Sequence, residues 1–300
     1  MKIVVRLACT GLVALAACGF ASAACCQAPP QVRSGYVAYN GARLYYEEAG
    51  SGPAIVLIHG GTIDRRMWDP QFAWLARGYR VIRYDARGYG LSRAEGVPFA
   101  DYEDLRALLD SLHVGRVAVM GMSMGGRIAT DFTLANPGRV SALILVAPGL
   151  SGFPFHGPEM DAFAAEQRQA YNQGGMPAVN RVFVRWWCVG PTRRRADVDS
   201  AVLAAVDTMV AGSGGRWPLE RLGRELEPPA WGRLREIRVP TLAVDGSLDM
   251  PNILEILDSV ATQVPGARQV VIPGAAHMVN MEKPAEIQAV LRPFLAEHLR

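Results

Sequence analysis

Arg116-Val117-Ala118-Val119-Met120-Gly121-Met122-Ser123-Met124-Gly125-Gly126 is the stretch whose reading decides the fold. Residues 116–120 form a short, β-branched apolar run that predicts a buried strand, and a helical period begins near Gly126. Between them stands the pattern G-x-S-x-G. The pattern alone is weak, because chance supplies it readily in a glycine-rich chain. Its position gives it meaning. A serine on a tight strand-to-helix turn is pushed above the sheet on a strained backbone, and glycine two residues to either side lets strand and helix approach without Cβ clashes. The helix N-terminus then offers the Met124 N–H and a positive dipole end to an oxyanion.

Working outward, short continuous apolar runs recur at 55–58, 80–84, 117–120, 142–146, 241–244 and 269–272. Runs of this length without alternation suit strands buried on both faces. Segments of helical period lie between them at 102–112, 127–135 and 253–264. Strand followed by helix followed by strand predicts an α/β architecture: a right-handed, doubly wound, mostly parallel sheet. Before it, the runs at 36–39 and 43–49 flank Asn40-Gly41, a two-residue hairpin signal. The rhythm breaks between Val146 and Thr241, where the chain is rich in Arg, Ala and Trp and carries no good strand. A structureless loop of that length is disfavoured, so 150–238 is expected to be a helical cap over the strand C-termini, with a helical insertion on the sheet's edge as the plainer reading. The core is then 35–149 with 239–300, preceded by a flexible lead-in at 24–34. No internal repeat is visible.

Four further stretches occur in order with the serine motif, and together they resemble the α/β-hydrolase superfamily over about residues 36–300. His59-Gly60-Gly61 follows the run at 55–58, where the family places a second oxyanion donor, the Gly61 N–H. Asp85-Ala86-Arg87-Gly88-Tyr89-Gly90-Leu91-Ser92 resembles the family's D-x-R-G-x-G-x-S loop. Gly246-Ser247-Leu248-Asp249 follows a late strand, as the family's acid does. Gly274-Ala275-Ala276-His277, then Glu282-Lys283-Pro284, resembles the histidine loop before the last helix. The resemblance implies Ser123 as nucleophile, Asp249 as acid and His277 as base, in the chain order this fold uses. The chemistry asks for the same roles. A hydroxyl is a weak nucleophile until a base takes its proton, histidine titrates near neutral pH, and a carboxylate on the other ring nitrogen fixes the tautomer.

The expected function is hydrolysis of a carboxylic ester of a small or medium substrate through an acyl-enzyme on Ser123. Lactone, C–C bond and amide hydrolysis and perhydrolysis use the same triad and stay open. A non-catalytic, ligand-binding member of the fold is the reading from another class, and the complete triad speaks against it. Serine at this position argues against the dehalogenases and epoxide hydrolases of the family, which use aspartate. Among other residues, Asp245 competes with Asp249 but sits four residues early. His59 is expected to be structural, His113 and His298 solvated, and His156 a loop position. Trp68, Met122, Trp186 and Trp187 are candidates for the pocket, set against plain packing for the cap tryptophans, which include Trp217 and Trp231. The run Arg193-Arg194-Arg195 reads as a solvated face.

Composition narrows the classes. The chain has 300 residues, is 50% apolar and 20% charged, and carries a net charge of +3. That is globular, with ample core and too little positive charge to argue for nucleic acid. No cofactor is expected: the glycines at 121–126 lack dinucleotide-binding spacing, and neither H-E-x-x-H nor a Cys/His cluster marks a metal. The oligomeric state is left open. Residues 1–23 read as an export signal, with Lys2 and Arg6, an apolar run at 7–20 too short to span a bilayer, and Ala21-Ser22-Ala23 as a cleavage pattern. Leu15-Ala16-Ala17-Cys18 also resembles a bacterial lipobox, which would make Cys18 a lipid anchor. Either route takes the protein out of the cytoplasm, to the periplasm, the membrane or the medium. Cys25 and Cys26 are adjacent and Cys188 stands alone in the globular part, so no disulfide framework is expected.

Overall fold

The structure, a computed structural model, describes residues 31–212 and 217–299. The readings of the export signal, of the lipobox at Cys18 and of Cys25 and Cys26 fall outside the described residues.

The chain opens with a hairpin, β1 (Arg33–Tyr39) and β2 (Ala42–Ala49), then β3 (Ala54–Ile58), α1 (Asp69–Leu75), β4 (Arg80–Tyr84), the two-residue β5 (Arg93–Ala94) and α2 (Asp101–Ser111). There follow β6 (Val117–Ser123), α3 (Met124–Ala135) and β7 (Val140–Pro148). A helical stretch holds α4 (Pro158–Phe183) and α5 (Ser200–Ala211). The chain closes with β8 (Thr241–Gly246), α6 (Pro251–Gln263), β9 (Arg268–Ile272), α7 (Val279–Glu282) and α8 (Pro284–His298). Strands β1-β2-β4-β3-β6-β7-β8-β9 lie in that order in one sheet, with β5 pairing β2. The order reverses at β3: the chain passes outward to β4, then returns to place β6 on the other side. All pairs from β4 across to β9 are parallel, and the hairpin is antiparallel to itself and to β4. In such sheets ligands bind beyond the strand C-termini at the point of reversal.

The local causes are legible. Asn40 (φ 41°) and Gly41 (φ 70°) make the two-residue turn that a right-twisted hairpin favours. Ile55 to Ile58 are fully buried, because helices cover both faces of the parallel strands. In α6, Ile253, Ile256, Leu257 and Val260 recur at helical spacing and all four are buried, so the helix closes one face of β7 and β8. Truncating one of these to alanine costs about 2–5 kcal/mol. Prolines at the first turn open α6 and α8, where a missing N–H removes nothing.

Two expectations are corrected. The lead-in at 24–34 ends too late: Arg33 and Ser34 already pair with Glu48 and Glu47 as the start of β1. Arg193 is not part of a solvated face; its side chain is 9% exposed and ion-paired, whereas Arg194 is 86% exposed. Between β7 and β8 the described chain is helical. α4 is broken at Gly175 (φ 58°), and a π-helical turn, Val184–Val189, follows it. Cys188 in that turn is buried, and burial pushes its thiol up to about 12.

Candidate active site

Ser123 ends β6 with φ 53° and ψ −116°, a left-handed backbone that a non-glycine residue adopts at a cost of about 1–3 kcal/mol. The glycines around it are required by contact. A Cβ on Gly121 would lie 2.0 Å from the carbonyl oxygen of Gly125, and one on Gly125 would lie 2.2 Å from that of Ile58. The Gly149 N–H, just past β7, donates to the Ser123 carbonyl at 2.9 Å. The serine is thus held at the crest of the sheet between β3 and β7, and Met124 opens α3 behind it.

The loop after β3 is fixed by His59. The Ala86 N–H donates to its Nε2 at 2.9 Å, so Nε2 is the acceptor and Nδ1–H donates to the Gly60 carbonyl at 2.7 Å. His59 is a buried neutral strut, in keeping with its expected structural part. A Cβ on Gly60 would lie 3.5 Å from the Cβ of Ser123, and one on Gly61 would lie 3.8 Å from that of Met124. The backbone at Gly60 and Gly61 therefore runs beside Ser123 and Met124. The loop at 85–92 braces this arrangement. Asp85 accepts from the backbone N–H groups of Arg65 (3.0 Å) and Leu91 (2.8 Å), and Arg87 is buried on Asp104 at 2.7 and 2.8 Å.

Beyond β8, the Asp249 carboxylate accepts Nδ1–H of His277 through Oδ2 at 2.7 Å and the Met250 N–H through Oδ1 at 2.6 Å. Both side chains are buried, at 1% and 3% exposure. Gly246 lets their loops meet, since a Cβ there would lie 2.3 Å from the Ala275 carbonyl oxygen. Burial disfavours charge on both groups. It pushes His277 below the usual imidazole range, leaving the imidazole neutral at pH 7, and pushes Asp249 up, against the downward pull of its hydrogen bonds.

A cavity of about 540 Å³ opens at Ser123 and Met124, walled by Leu150, Phe153, Trp187 and Ile253, with Arg127 and Glu225 as its charged members. The Trp187 ring packs on His277 with centroids 4.7 Å apart, so one side chain spans the cavity and the histidine. Of the four residues expected in the pocket, only Trp187 lines this cavity. Trp68 and Met122 are fully buried in the core. Trp186, adjacent to Trp187 in the π-helical turn, faces away and donates its indole N–H to Glu166 at 2.8 Å. Sequence reasoning missed Leu150 and Phe153; their place just past the C-terminus of β7 was the available signal. Among the described residues no group of three or more His, Cys, Asp or Glu side chains is placed to hold a metal.

A model of the alpha/beta hydrolase family matches residues 55–290. Among solved structures the chain is similar to the enol-lactonase from Burkholderia xenovorans LB400, with a TM-score of 0.71, 27% identity, and coverage of 87% of this chain and 100% of that one. It is similar to a hydrolase from Pseudomonas aeruginosa PA01, with a TM-score of 0.74, 26% identity, and coverage of 87% and 98%. A thermophilic esterase from Thermogutta terrifontis shares the fold with a TM-score of 0.76 at 24% identity, covering 89% of this chain and 100% of that one.

Proposed function

This chain belongs to the alpha/beta hydrolase family, and from that premise we propose that it is a serine hydrolase cleaving a carboxylic ester of small or medium size through an acyl-enzyme on Ser123. The observation that carries the reading is the buried 2.7 Å bond from His277 Nδ1–H to Asp249, together with a strained Ser123 lining the cavity whose Trp187 wall packs on His277. A donated Nδ1–H leaves Nε2 of His277 with a free lone pair. That atom takes the proton of the Ser123 hydroxyl as Oγ attacks the ester carbonyl, and Asp249 stabilises the imidazolium. The N–H groups of Met124 and Gly61 receive the oxyanion, the first aided by the dipole of α3. His277 returns its proton to the leaving alcohol. Water, activated by the same nitrogen, then releases the acid. The acyl chain lies against Leu150, Phe153, Trp187 and Ile253.

The test is a panel of aryl esters of graded chain length with lactones and amides. The reading expects the highest kcat/KM on esters of short to medium chains. Lactones as the preferred class would favour the second reading, which the similarity to an enol-lactonase supports. Export, by signal cleavage after Ala23 or by lipidation at Cys18, belongs to the same proposal. Intact mass and N-terminal sequencing of protein from its native host test it: an N-terminus at Met1 contradicts both routes.

A further inference from the structure

A second buried acid lies close to Asp249 in the chain and has no part in the triad. Asp245, near the end of β8, is 0% exposed. Its Oδ1 accepts the Gly246 N–H at 2.7 Å. Its Oδ2 is buried and meets no N–H or O–H donor among the described residues. The Asp249 N–H closes a turn on the Gly246 carbonyl at 3.3 Å, and that turn brings a second buried carboxyl, that of Asp249, up to the first.

Two ionised carboxylates do not share a dry site, so one of the pair keeps a proton. The partners decide which. Both oxygens of Asp249 already accept N–H groups, from Met250 and from His277. Oδ1 of Asp245 accepts as well. Oδ2 of Asp245 is the oxygen with no donor, and it is where a proton completes the set. Resting on the triad reading, we infer that Asp245 is a positioning residue, a protonated carboxyl whose O–H is donated to Asp249 and fixes that carboxylate, ionised, on Nδ1 of His277.

The electrostatics agree with the geometry. Burial and the neighbouring Asp249 charge push Asp245 well above the usual carboxylate range, and the bond from Asp245 pulls Asp249 back down against its own burial. The other charged groups that reach the pair are His277, which is neutral, and Glu282 and Arg193, which are ion-paired to each other. A carboxyl that merely braced the turn at Gly246 would do so ionised or not. A donor to Asp249 must hold its proton, and must affect how readily the Asp249–His277 pair takes one.

The experiment compares the full-length wild type with Asp245→Asn and Asp245→Ala. Asparagine keeps both bonds, its oxygen accepting from Gly246 and its N–H donating to Asp249. Alanine removes the donor. Infrared spectra at neutral pH should show a protonated-carboxyl C=O band in the wild type that is absent in Asp245→Asn. On an aryl ester, Asp245→Ala should lose about tenfold in kcat with little change in KM, as expected for one lost hydrogen bond. Its acidic limb should move to higher pH, because Asp249 without its donor protonates more easily. Asp245→Asn should recover most of that kcat. The inference is overturned by a wild type with no such band, or by Asp245→Ala with an unchanged kcat and pH profile. Should Asp245→Ala not fold, the infrared comparison decides alone. Failure of the triad reading is separable: an active Ser123→Ala sinks that reading, whereas an inactive Ser123→Ala beside an unchanged Asp245→Ala sinks only this inference.

Discussion

Arg193 and Glu282 form a two-point ion pair, Nη1 to Oε2 at 2.6 Å and Nη2 to Oε1 at 3.0 Å, joining the helical stretch between β7 and β8 to the segment after His277. The same Glu282 accepts the Ala276 N–H at 3.1 Å, and Arg193 also reaches the carbonyls of Cys188, Val189 and Gly274. The pair therefore pins the histidine loop from both sides. Arg193→Ala is expected to cost about 3 kcal/mol, because it strands a buried carboxylate. It should also lower kcat more than it raises KM, since the His277 loop is what it loosens. Urea unfolding and ester kinetics check this; an unchanged midpoint and unchanged kcat would contradict it.

Adjacent tryptophans should part company. Trp187→Ala removes a cavity wall and should shift chain-length preference toward longer esters, while turnover of the shortest ester falls less. Trp186→Ala removes a buried ring and its bond to Glu166, so it should destabilise by about 3–5 kcal/mol with chain-length preference kept. Profiles of kcat/KM against acyl length, beside melting curves, separate the two. The same profile shift in both variants would contradict the separate parts given to the two rings.

Asp131 gives stability a pH dependence. It lies buried in α3 and accepts the Ser151 hydroxyl at 2.6 Å, while the Ser151 oxygen accepts the Ala230 N–H at 2.9 Å. Burial pushes its carboxyl up to about 6. A folded pKa above the unfolded one means that the native state holds the proton more tightly. The contribution is full below the ordinary carboxylate range and is lost as pH rises through about 6. It amounts to at most about 3 kcal/mol. Urea unfolding at pH 5 and pH 7.5 spans the upper part of this loss, about 1.4 kcal/mol, which should appear in the wild type and be reduced in Asp131→Asn. An equal pH slope in both proteins would contradict the assignment.

Much of the scaffold was legible because its signals are local. Asn40-Gly41 marks a turn by itself, and continuous apolar runs at 55–58 and 142–146 mark strands covered on both faces. The elbow was legible because Gly121 and Gly125 answer to backbone contacts only a few residues away or one strand over. The cavity was not. Which of two adjacent tryptophans faces the serine depends on a π-helical turn, and a stretch of helical period does not reveal one extra residue in a turn. Arg193 looked solvated for a similar reason: its partner, Glu282, lies 89 residues away, and only the folded chain brings them together. Trp68 sits close in sequence to the loop after β3, yet its side chain is wholly buried.

The central claim is that Ser123 is a nucleophile activated by His277. An active-site-directed phosphonate bearing a good leaving group tests it most directly, because it bonds covalently only to an activated hydroxyl. Peptide mapping by mass spectrometry should place one phosphonyl adduct per chain, on Ser123. Labelling should be lost in Ser123→Ala and slowed by several orders of magnitude in His277→Ala, with ester hydrolysis falling in parallel and both variants remaining folded. An adduct on another residue, or a Ser123→Ala protein that keeps more than about a tenth of wild-type activity where a lost triad member should cost orders of magnitude, would contradict the account.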